Sequence, residues 1–166
     1  MIRNRGPGPL LVAVLALVAF AGAALAAPTF PRLTGRVVDE ANLLSPEVER
    51  SLTARLKALE DSTGRQMVVA TIPDLQGYPI EDYGYQLGRA WGIGDAKRDD
   101  GVLLIVAPND RKVRIEVGYG LEPILTDSLT SVIVQTRVLP AFRSGDMEAG
   151  IVSGAEAVAA QLALPE

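Results

Sequence analysis

Asp99 and Asp100 stand immediately before an all-apolar run at 102–107, and Pro108-Asn109-Asp110-Arg111 then turns the chain into a second strand at 113–117. So tight a turn makes the two strands antiparallel, and the start of the first lies beside the end of the second. Asp99 and Asp100 are thereby brought close to Gly118-Tyr119-Gly120-Leu121-Glu122, with Asp127 a few residues further on. Carboxylates beside glycines, whose backbone carbonyls are free to turn inward, form the mixed oxygen shell that Ca²⁺ or Mg²⁺ takes. A competing reading makes Asp127 a helix cap and Asp99-Asp100 a solvated turn.

Other chemistries fail on residue type or spacing. The 166 residues include no Cys and no His. There is then no thiolate or imidazole for nucleophilic or general-base work, and any bound metal must be held by oxygen. Gly92-x-Gly94 precedes a strand instead of following one, and Gly118-x-Gly120 lacks the third glycine of a dinucleotide fingerprint and runs into Pro123. The stretch from Asp95 to Asp100 begins like an EF-hand, but Lys97 occupies the third position and Val106 the twelfth. No P-loop is present. A net charge of −4 argues against nucleic acid, since counterion-release binding needs a basic face.

The elements that must position the acidic residues are legible from periodicity. Ser45-Pro46 starts a helix, with Ser as N-cap, Pro in the first turn and Glu47 and Glu49 at the positive dipole end. Val48, Leu52, Leu56 and Leu59 share its inner face, and Gly64 marks its end. Residues 67–72 are continuously apolar, as in a parallel strand buried on both faces. Residues 79–91 read as a second helix with Ile80, Tyr83, Leu87 and Trp91 inward; Gly84 and Gly88 weaken it, and either permit close approach to a neighbour or are simply tolerated. In the strand at 113–117, Val113, Ile115 and Val117 alternate with Arg114 and Glu116, giving one wet face. A third helix, capped by Thr126 or Asp127, turns Leu129, Val132, Ile133 and Leu139 inward and stops at Pro140. The last starts near Asp146 and aligns Met147, Ile151, Ala155, Val158 and Leu162. A short strand is expected at 36–38. Apolar strands separated by a helix imply a right-handed crossover, and the order specifies an α/β three-layer α/β/α sandwich with a mixed central sheet.

Ahead of this domain, Arg3 and Arg5 precede an apolar run at 10–20 and a small-residue exit at Ala24-Leu25-Ala26. This is the pattern of a secretory signal peptide, residues 1–26, cleaved after Ala26. Residues 27–35 read as an extended leader and 36–163 as the domain. No second apolar run reaches the roughly 18 residues that a membrane span needs. The expectation is an exported chain, periplasmic or extracellular, with no transmembrane anchor after cleavage.

Several motifs fall in a specific order: Val38-Asp39-Glu40-Ala41-Asn42-Leu43-Leu44-Ser45, Thr63-Gly64-Arg65-Gln66, Trp91-Gly92-Ile93-Gly94, the stretch from Asp100 to Ala107, and the stretch from Arg114 to Glu122. Pro140-Ala141-Phe142 and Gly145-Asp146 continue the series. Together they closely resemble the TPM-domain family over residues 35–162. The resemblance implies an exported α/β/α sandwich. Members are associated with thylakoid photosystem repair, bacterial envelopes and membrane-receptor modulation; some are described as acid phosphatases and some carry Ca²⁺. Asp39, Asp99, Asp100 and Glu122 match positions where the family is commonly acidic or amide. Asp39 is equally readable as a turn cap before Ser45. Many bacterial members continue into a transmembrane helix and a Gly-rich tail, which this sequence lacks.

Two functions follow. One is a non-catalytic module, its loops organised by the cation, that binds an envelope or membrane protein through an apolar edge of Tyr119, Leu121 and Pro123. The other is a metal-assisted phosphomonoester hydrolase using Asp99, Asp100 and Glu122, with Arg98 and Arg114 as candidate phosphate ligands. The first is the favoured expectation, because no dedicated nucleophile is visible.

Overall fold

The computed structural model describes residues 26–165. The expected signal peptide lies outside the described residues, except for Ala26. Strands β1 (Val37–Asp39), β2 (Gln66–Thr71), β3 (Gly101–Ala107) and β4 (Lys112–Val117) form one sheet in the order β1-β2-β3-β4. β1 pairs parallel with β2, β2 parallel with β3, and β3 antiparallel with β4. β3 is buried along its whole length because both faces are covered, which is why its sequence is apolar without alternation.

Alternate residues of the strands feed two cores. Met67, Val69, Val102, Leu104, Val106 and Ile115 face helix α1 (Pro46–Thr63) and the C-terminal helices. Val68, Ala70, Leu103, Ile105 and Ala107 face helix α2 (Ile80–Trp91) through Ile80, Tyr83 and Leu87. This is the expected three-layer arrangement. Helix α1 begins and ends where its sequence says. The Ser45 hydroxyl accepts from Val48 N, Pro46 occupies the first turn, and Gly64 closes the helix at φ 72°.

The two crossovers differ in hand. Both step the same way across the sheet, from β1 to β2 to β3, yet α1 and α2 cover opposite faces. The two are therefore of opposite hand, and one of them is the rarer left-handed kind. The C-terminal region departs from expectation. Helix α3 (Asp127–Ile133) does not stop at Pro140 but runs through a π-helical turn (Val134–Val138) into α4 (Leu139–Arg143). The wider turn lets Leu139 N reach Val134 O, and Pro140 falls in the first turn of α4, where its missing N–H is not needed. Val132, expected inside, is 53% exposed, because the inward stripe passes through Thr130, Ile133 and Val138 instead. Helix α5 (Met147–Leu162) starts on Asp146, which accepts from Ala149 N, and its C-terminal carbonyls are taken by buried Arg65, bonded to Leu162 O and Leu164 O.

The leader segment lies against α2. Phe30 packs edge-on against Tyr83 at 5.2 Å, Gln76 bonds Thr29, and Trp91 Nε1 donates to Pro31 O. Among the described residues no helix is long and apolar enough to cross a membrane.

Candidate functional site

At the amino end of β3, three segments cross at van der Waals limits. A Cβ on Gly120 would lie 1.9 Å from Arg98 O, and one on Gly118 2.2 Å from Asp99 O. A Cβ on Gly94 would meet Gly101 N at 2.4 Å. No side chain fits at these positions, so the loop 92–100 and the segment after β4 interlock through bare backbone. The crossing is hydrogen-bonded: Gly118 N donates to Gly101 O, Gly120 N to Asp99 O, and Gly94 N to Gln66 Oε1. Asp99 takes the left-handed conformation at φ 50°, one of the few residue types that adopt it readily. Its Oδ2 accepts from Tyr119 N.

Asp100 is buried, and both of its carboxylate oxygens are engaged. Oδ1 accepts from Asp95 N at 2.8 Å and Oδ2 from Arg98 Nε at 2.6 Å. The hydrogen bond and charge of Asp100 raise the Arg98 guanidinium above its ordinary value. Asp95 accepts from Lys97 N and Arg98 N, and these backbone bonds hold its carboxyl below the usual range. The acidic loop is therefore a self-consistent turn built around Asp95 and Asp100.

The remaining candidates are distributed differently. Glu122 follows the 3₁₀ turn Tyr119–Leu121 and is exposed. Asp127 is the first residue of α3, and the cap is Thr126, which accepts from Leu129 N. Asp39 lies at the far end of the sheet, because β1 runs parallel to β2 and Asp39 pairs with Thr71, whereas Gly101 pairs with Gln66. Its oxygens accept from Leu43 N, Leu44 N and the Thr71 hydroxyl. It is the turn cap of the alternative reading. Among the described residues no group of three Asp, Glu, His or Cys side chains is arranged to hold a metal ion. Asp39 lies at the opposite end of the sheet from the start of β3, and Asp100 faces the Arg98 guanidinium. Of the expected contact edge, Tyr119 is 74% exposed and Pro123 is exposed, but Leu121 is buried in the core and presents nothing outward. The single turn of 3₁₀ helix directs residues 119 and 121 to different sides.

A concavity of about 360 Å³ was not anticipated. It lies at the carboxyl end of β2, lined by Thr29, Glu40, Asp74, Gln76 and Tyr83 among others. Its wall includes the leader segment, which periodicity alone does not place.

A family model for the TPM domain matches residues 37–161. The chain belongs to the TPM-domain family. Among solved structures it is similar to the N-terminal domain of a protein from P. gingivalis, at 41% identity and TM-score 0.72, over 78% of this chain and 82% of that one. It also shares its fold with the N-terminal domain of the cg2496 protein from Corynebacterium glutamicum, at 17% identity and TM-score 0.61, over 85% of this TPM domain chain and 90% of the other. The BA42 protein from Bizionia argentinensis is similar at 21% identity and TM-score 0.61, over 72% and 81%. No curated protein matches. The interlocked glycines fall inside the matched span, so the crossing belongs to the TPM domain proper.

Proposed function

We propose that this TPM domain is a non-catalytic module of the cell envelope that engages a protein partner through Tyr119 and Pro123. The observation that carries the reading is the presentation of Tyr119. It is a large aromatic side chain, mostly exposed, on backbone fixed by Asp99 and the Gly118–Gly120 crossing. An exposed tyrosine on fixed backbone is a favourable contact group, because only its two side-chain torsions are ordered when it is covered. The phosphatase alternative has less support. Both candidate phosphate ligands are already paired with carboxylates, Arg98 with Asp100 and Arg114 with Glu116.

A photo-crosslinking residue at position 119, read in intact producing cells, tests the reading. A discrete protein adduct from position 119 and none from position 85, an exposed tyrosine on α2, is the expected result. Phosphomonoester hydrolysis that falls by orders of magnitude in Asp100→Asn would replace this reading with the enzyme. Ca²⁺ or Mg²⁺ as an organising ion requires Arg98 to leave Asp100. Millimolar Ca²⁺ that raises Tm in the parent and in Asp110→Asn, but not in Asp100→Asn, would establish that rearrangement.

A further inference from the structure

Among the described residues strand β4 is the last in the sheet, and its outer edge meets no other strand. The register of β3 with β4 pairs Val102 with Val117, and Gly118 N donates to Gly101 O. Antiparallel partners alternate between pairs that exchange backbone hydrogen bonds and pairs that do not. The phase is thereby set. Lys112, Arg114 and Glu116 exchange bonds with β3, while the backbone N–H and C=O groups of Val113, Ile115 and Val117 point to the open side. Among the described residues no turn, loop or side chain bonds those three backbone units.

We propose that β4 pairs with β4 of a second copy, antiparallel and centred on Ile115, so that the two sheets become one. The open groups lie at odd positions, so only registers that oppose odd to odd residues close the ladder, and centring on Arg114 or Glu116 does so only by setting that charge against itself. Centring on Val113 would set Lys112 against Arg114 of the second copy, two like charges. Centring on Val117 would set Glu116 against Gly118 and Arg114 against Gly120, with no complement for either charge. Centring on Ile115 opposes Arg114 to Glu116 of the second copy, twice by symmetry, and Val113 to Val117. The charged pair then occupies a non-hydrogen-bonded position, where opposing side chains come closest. Arg114 and Glu116 bond each other along their own strand at 2.6 Å and both remain partly exposed, so the exchange to the second copy turns both side chains outward and draws Glu116 away from Gly84 of α2. No proline interrupts the edge, and its inward-leaning charges, Arg114 and Glu116, already neutralise one another.

The chain has no cysteine, which makes trapping clean. Arg114→Cys mixed with Glu116→Cys, in the chain as recovered from producing cells, should cross-link under mild oxidation several-fold more than either variant alone. Like positions in this register lie diagonally apart, beyond the roughly 7 Å that a disulfide spans. Sedimentation should show a monomer–dimer equilibrium that Glu116→Arg weakens at least tenfold and the exchange R114E/E116R restores. Val113→Pro, which removes an N–H that β3 does not use, should keep the monomer folded and abolish the dimer. A parent chain that stays monomeric at millimolar concentration overturns the proposal. So does a dimer that cross-links equally in all combinations, or one that the charge exchange fails to restore.

Discussion

The two ends of the sheet both carry carboxylates, and they use them differently. At the carboxyl end, Asp39 holds two backbone N–H groups of its own turn and the hydroxyl of fully buried Thr71 on the neighbouring strand, all neutral donors. Asp110 does the same for Leu75 N. At the amino end, Asp100 faces a cation of its own loop, and the glycine crossing brings the chain segments together. A carboxylate in a turn-rich sequence suggests a ligand. Here the hydrogen-bond inventory shows that most are satisfied by the chain itself, and the difference between the ends lies in the backbone. The carboxyl end is a set of capped turns, whereas the amino end is a steric lock that holds Tyr119 outward.

The lock gives the largest expected effect. Gly120→Ala forces a methyl against Arg98 O, so the crossing must open at a cost of about 3 kcal/mol or more. Gly77→Ala, at the carboxyl end, meets open space and suffers only from its positive φ, about 1–2 kcal/mol. Chemical denaturation of both variants measures the difference. Equal losses would mean that the amino end is no tighter than the other.

Next in size is the contrast between caps. Asp39→Ala strands Leu43 N, Leu44 N and a buried hydroxyl, and should cost about 2–3 kcal/mol. Asp100→Ala strands Asp95 N, but releases a guanidinium that is 61% exposed and regains water, so its loss should be smaller. If Asp100→Ala proved the more damaging, the pair with Arg98 would be a principal support of the amino end and not one contact among several.

Where the signal was local, the sequence was sufficient. Ser45-Pro46 and Gly64 bound α1 because capping uses only neighbouring residues, and the unbroken apolar run of β3 reports a strand covered on both faces. The antiparallel hairpin placed Asp99 and Asp100 beside Gly118–Glu122 for the same reason. Long-range features were not legible. Asp39 lies far from Asp100 because β1 is parallel, which nothing near residue 39 encodes. Leu121 turns inward because the 3₁₀ turn is wound more tightly than an extended edge. The path through Pro140 depends on a π turn, whose signal is weak. The opposite hands of the two crossovers come from which face each helix finds, a property of the assembled cores. A more careful reading of Gly94, Gly101, Gly118 and Gly120 as a set offered the one missed clue to the crossing.

The smallest expected effect separates the two ends by pH. Burial, and then the charge of Asp74, push the Tyr83 phenol above its ordinary value of 10.0 at the carboxyl end. The neutral form is favoured in the native state, so above about pH 10 the unfolded chain loses its proton first. The contribution is full below that pH and is lost as pH rises through the raised native value. At the amino end, backbone bonds from Lys97 and Arg98 depress the Asp95 carboxyl below 3.8, and this contribution is present above about pH 4 and fades as pH falls through the lower native value. Denaturant midpoints measured from pH 2 to 11 should therefore show Tyr83→Phe flattening only the alkaline limb and Asp95→Asn only the acid limb. Asp74→Asn should flatten the alkaline limb in part, since it removes the second cause and leaves burial in place. Tyr83→Phe keeps the ring against Phe30, so an unchanged alkaline limb could not be ascribed to lost packing. It would mean that the leader segment opens before the phenol ionises, leaving Tyr83 in water at high pH, and the carboxyl end would then be the looser of the two.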